Sequence, residues 1–155
     1  MNSANQTFVE MICNLLNEAY EGSSPTWFSD RDTGLLPTLK SVSAQTASSI
    51  INDGTSIAAH TEHLRWALEK INAKMRGAPP NMNWSESWTV QSVSKSEWAT
   101  LLEQLQLEYE TLISNMPANP DLNDNMCVTS GIALVAHAAY HLGAIRQMLT
   151  TRAAS

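Results

Sequence analysis

Four histidines carry the chemistry that can be read from this sequence, in two close pairs: His60 with His63, and His137 with His141. The second pair lies within LVAHAAYHLGAIRQ, Leu134 to Gln147. At about 100° of turn per helical residue, His137 and His141 fall on the same stripe as Leu134, Ala138, Ile145 and Met148. His60 lies on the stripe Ile57, Leu64, Leu68, whereas His63 is rotated about 60° further toward its edge. His60, His137 and His141 are therefore expected to point between helices. His63 is expected at the margin, within reach of the site or of solvent.

A lone buried histidine is more often a satisfied core residue than a ligand, and an i,i+4 histidine pair also arises by chance. Three imidazoles on two inner faces are harder to accommodate, because an unpaired buried polar group costs about 1–3 kcal/mol and few apolar neighbours could satisfy it. A divalent metal resolves the difficulty. Two histidines one turn apart present two nitrogens to one ion, and a third from a facing helix completes a His₃ set with one open position. Imidazole suits Zn²⁺, Ni²⁺, Cu²⁺ or Fe²⁺. At the open position the pKa of water drops to about 7, and a thiol is deprotonated outright. The expected metal ligands are His60, His137 and His141, with His63 as a supporting group, an extra ligand or a general base. Two other readings stay open: a non-catalytic metal or small-ligand binder, such as a stress-response or sensor module, and a structural bundle whose histidines pair with one another or with backbone.

Other site types fit less well. HAAYH lacks the glutamate of a zincin peptidase, and no Glu-x-x-His pair of the di-iron kind faces inward. There is no GxSxG, P-loop or GxGxxG, and neither Cys13 nor Cys127 lies near a histidine in sequence. Tyr140, Glu62, Arg65 and Arg146 are nearby candidates for supporting roles; Tyr140 and Arg146 are expected in helix packing or surface pairing, and Glu62 on a solvated face. Gly143 is expected to let a neighbouring helix approach closely, and Trp84 and Trp88 to anchor a loop or wall a pocket.

Four long helices must position these groups. The first carries Phe8, Ile12, Leu15, Leu16 and Ala19 at helical spacing and ends at Gly22 and Pro25. Residues 35–50 hold one short helix. The second long helix, capped by Thr55 or Ser56, carries Ile57, Leu64, Leu68, Ile71 and Met75 before Gly77, Pro79 and Pro80. A loop over 78–93 leads to a Ser94–Glu97 capping box and a seam from Trp98 to Met116, closed by Pro117. The last helix starts within 124–131 and runs to about Arg152. The expected fold is all-α, a four-helix bundle.

The chain has 155 residues, suiting one domain over 1–155. Hydrophobic residues make up 43% and charged residues 15%, so the polar surface must lean on Ser, Thr, Asn and Gln. A net charge of −6 without any Lys/Arg run argues against nucleic acid and against an anionic membrane surface. Two distant cysteines read as reduced thiols, and MNSANQTF has no signal-peptide pattern. The apolar run Gly131 to Ile145 is too short to span a bilayer. A cytoplasmic protein is expected.

With these residues in place, the chain resembles the DinB/YfiT-like family of small bacterial metal-binding four-helix proteins. The likeness is carried by HAAYHLGAIRQM, His137 to Met148, and by TSIAAHTEHLRWAL, Thr55 to Leu68. It covers nearly the whole chain in helix order and length. The resemblance implies a metal triad of one histidine on the second helix and an HxxxH pair on the fourth, carried over here as His60, His137 and His141. It also implies zinc or nickel, a small-molecule substrate, a thiol-dependent transferase or related activity with a low-molecular-weight thiol, and a homodimer.

Overall fold

The computed structural model describes residues 3–23, 26–50, 54–78, 82–118 and 125–153. Pro25, Pro79, Pro80 and the side chain of Cys127, all named above, lie outside the described residues. Among those described the chain is helical, with no strand. The helices are α1 (Ser3–Glu21), α2 (Leu35–Lys40), α3 (Ala44–Ala47), α4 (Ile57–Met75), α5 (Lys95–Asn115) and α6 (Asn125–Ala153), with 3₁₀ turns at Trp84–Trp88 and Met116–Ala118.

Local chemistry sets most of these boundaries. Ser56 is extended, and its hydroxyl accepts from the Ala59 amide at 3.1 Å, starting α4. Past its other end, Gly77 adopts φ +85°, a left-handed conformation that glycine takes without steric cost. At the start of α5, Ser94 and Glu97 form the reciprocal capping box, with the Ser94 amide donating to Glu97 Oε2 at 2.7 Å. Pro117 falls in the 3₁₀ turn that follows this helix. Residues 35–50 contain two short helices rather than one, because Ser43 caps α3 by accepting from the Thr46 amide.

The four long helices pack in pairs, α4 chiefly against α5 and α1 against α6, with α4 also meeting α6. Leu16, Leu64, Leu105, Leu112 and Ile145 are buried where these faces meet. Tyr20 of α1 stacks on Tyr109 of α5, ring centroids 4.6 Å apart. The Trp98 indole N–H donates to the Val42 carbonyl at 2.8 Å, tying the short-helix segment to α5.

After α1 the chain turns sharply. Gly22 has φ +72°, and a Cβ on Gly34 would run into the backbone of Glu21 and Gly22. Beside this crossing the buried Glu18 carboxylate accepts the backbone N–H groups of Trp27, Phe28 and Ser29 at 2.8, 2.6 and 2.7 Å. Desolvation alone would raise its pKa. The three amides and the Ser29 hydroxyl outweigh it and hold the carboxyl below the usual range.

Two details of α6 differ from expectation. Nothing lies within 4 Å of a Cβ built on Gly143, so it admits no close neighbour; Gly131 is the glycine that packs, against Ile12 of α1. The apolar stretch is also longer than Gly131 to Ile145. Val128–Thr151, 24 residues containing an 18-residue stretch of mean hydropathy 1.3, is long and apolar enough to cross a membrane by length and composition. In this fold the same stretch packs on α1 and α4 and presents both of its histidines to α4.

Candidate metal centre

All four histidines come together. His60 and His63 project from α4, His137 and His141 from α6, and the Trp84–Trp88 turn lies across them. The ring nitrogens of His63, His137 and His141 lie within 4.8 Å of one another. His137 Nε2 stands 2.9 Å from His63 Nε2 and 3.1 Å from His141 Nε2. His60 meets the far side of this group, with its Nδ1 2.7 Å from His141 Nδ1.

Hydrogen-bond roles fix which nitrogens carry lone pairs. The Ser87 hydroxyl donates its only proton to the Trp84 carbonyl at 2.6 Å. The 2.7 Å contact between Ser87 Oγ and His63 Nδ1 must therefore be donation from the ring. His63 is then the Nδ1–H tautomer, and its Nε2 faces the other histidines unprotonated. One proton fits between His60 and His141. With it on His141 Nδ1, His60 accepts, and His141 Nε2 is likewise bare.

With His63 Nε2 and His141 Nε2 both bare against His137 Nε2, a cation shared by the three rings would satisfy all of them. A single proton on His137 can bridge one of its two contacts but leaves the other with lone pair against lone pair. Ligand bonds of about 2.0–2.1 Å in a tetrahedral set place nitrogens about 3.3 Å apart, close to the 2.9 and 3.1 Å of the two contacts His137 makes, with all three nitrogens within 4.8 Å of one another. The donor set could therefore hold a metal ion. Burial lowers the pKa of every one of these imidazoles. For His63, burial with the neighbouring His137 and His60 brings it to about 4, and for His141, burial with the other three histidines brings it to about 2. At neutral pH all four are uncharged, the form that ligates.

The site differs from the spacing argument in one respect. His60 was expected among the ligands and His63 at the margin. In the structure His63 joins the converging set, and His60 bonds the back of His141. Periodicity along α4 measures facing toward other helices, but the element covering His63 is the 3₁₀ turn. Trp88 stacks on the His63 ring at 4.2 Å and 24°, and Trp84 lies 5.5 Å from it. His63 is consequently as buried as His60, at 5% and 6% exposure. Ser87 was not foreseen; the WSESW run, Trp84 to Trp88, was its only signal.

The remaining candidates stay outside the cluster. Arg65 pairs with Glu62 and Glu69, each at 2.7 Å, in a half-buried cluster along α4. Tyr140 is exposed and touches His141 only edge-on. Arg146 lines a surface hollow with Trp27 and Phe28. Cys13 is half-buried on α1, where burial, with Glu10 nearby, raises its thiol pKa and keeps it unreactive. Compared with protein-family models, with curated proteins and with solved structures, the chain finds no match in any of the three.

Proposed function

We propose that this chain is a DinB/YfiT-like four-helix metalloprotein that holds one zinc or nickel ion on His63, His137 and His141. In this reading it acts on small molecules, as a thiol-dependent transferase or a near relative. The single observation that carries it is the convergence of the His63, His137 and His141 ring nitrogens within 4.8 Å of one another, with Ser87 turning the His63 lone pair inward. A bound ion would supply a Lewis acid with a fourth position open to a thiol or to water.

The protein's own groups support such chemistry. Ser87 orients His63, and His60 orients His141, each from the ring nitrogen that does not ligate. The Trp84 and Trp88 rings shield one side of the histidines from water. The same reading takes the protein to be cytoplasmic, homodimeric and indifferent to nucleic acid.

Elemental analysis of protein purified without chelator tests the metal, with about one ion per chain expected. A screen of thiols with electrophilic acceptors then tests the reaction. Metal uptake without turnover would leave a non-catalytic binder. No stoichiometric ion would leave a structural histidine cluster and end the proposal.

A further inference from the structure

A second feature adjoins the histidines. Between α4 and α6 runs a cleft of about 450 Å³, a size suited to a small organic molecule. Ile71, Met82, Trp84 and Leu134 give it apolar walls, and it ends against His137. Lys70 and Lys74 line it too, and no carboxylate among the described residues does.

The charge there runs against that of the whole molecule. The chain carries nine Lys and Arg against 15 Asp and Glu, yet Lys70, Lys74 and Arg76 crowd the last turns of α4 and its end. Lys70 shares its charge with Glu69 at 3.3 Å and lies over the Trp66 ring. Lys74 is exposed and has no ion pair among the described residues.

We propose that this cleft binds an amphipathic anion: an apolar chain along Ile71, Trp84 and Leu134, a carboxylate at Lys70 and Lys74, and the opposite end at His137. Lys70 and Lys74 follow His63 by seven and eleven residues, about 10 and 16 Å along the helix, and lysine side chains shorten that span. The separation from histidine to ammonium is therefore on the order of 10 Å, the length of an extended chain of about eight carbons. Only the chemical nature of the end at His137 rests on the metalloenzyme reading. The apolar body and the anionic end rest on the cleft itself.

Calorimetric titration of the full chain with octanoate and with 1-octanol tests the anionic end, with and without added zinc. Octanoate should bind one to one in both cases, about fivefold more tightly than octanol, the modest gain expected of partly exposed charges. The difference should vanish in Lys70→Gln/Lys74→Gln and shrink as salt rises. Equal binding of the two ligands, octanoate binding untouched by the double variant, or no octanoate binding would overturn the proposal. Both lysines lie off the core, and circular dichroism of the double variant checks that the helices are kept. For the other end, 8-mercaptooctanoate added to cobalt-loaded protein should bind about tenfold more tightly than octanoate and produce a sulfur-to-cobalt charge-transfer band. Octanoate binding without that band would overturn the orientation alone. Octanoate binding by a protein that takes up no metal would remove the metalloenzyme reading and leave the anion cleft standing.

Discussion

At the scale of single residues, the two histidines of α4 are separable by experiment. His63→Ala removes a nitrogen from the converging set, and metal uptake should be lost. His60→Ala removes only the partner of His141 Nδ1, and affinity should fall about 10–100-fold, the usual cost of an outer hydrogen bond. Metal titration of the two variants decides the ligand set; the opposite ranking would return His60 to it. Ser87→Ala frees the His63 ring to take the other tautomer and should weaken metal binding by about the same 10–100-fold, with the helical signal unchanged. His137 and His141 were legible in the sequence because one turn of helix and their apolar neighbours decide where they point. His63 was not, since what buries it is a turn more than 20 residues away whose path no helical period encodes. Ser87 was hidden for the same reason.

At the scale of elements, what was legible was local. Ser56 before α4 and the Ser94–Glu97 pair before α5 act over three residues, and both form as the sequence suggests. The link from Glu18 to Trp27, Phe28 and Ser29 spans nine to eleven residues and needs the Gly22–Gly34 crossing to close it, so no short pattern announces it. Glu18→Gln tests its weight. The new amide must set an N–H against at least one backbone N–H, and stability should fall by about 1–3 kcal/mol. Urea denaturation would measure the loss, and limited proteolysis should cut earlier around Trp27 and Phe28, both already exposed. Unchanged stability would mean that this loop is held by something other than the carboxylate.

For the whole molecule, the histidines couple stability to acidity. Their folded-state pKa values lie below the ordinary 6.5, at about 4 for His63 and about 2 for His141, chiefly through burial. Below pH 6.5 the unfolded chain therefore binds more protons than the folded one. Stability of chelator-treated protein should be greatest above pH 6.5 and fall on acidification toward pH 4, by on the order of 1 kcal/mol per pH unit and histidine. Urea midpoints across that range would show it, and a flat profile would contradict the burial of the rings. A metal at 100 times its dissociation constant should add about 2.7 kcal/mol at neutral pH, raising the melting temperature. The indole of Trp88, lying flat against the His63 ring, has a further consequence. An open-shell ion such as Cu²⁺ or Co²⁺ on that ring would sit close enough to drain the excited state of the indole, so emission should dim as the ion binds. Trp88→Phe should weaken that dimming and leave the share of Trp84, 5.5 Å from the same ring, which gives the protein a built-in optical gauge of its own occupancy.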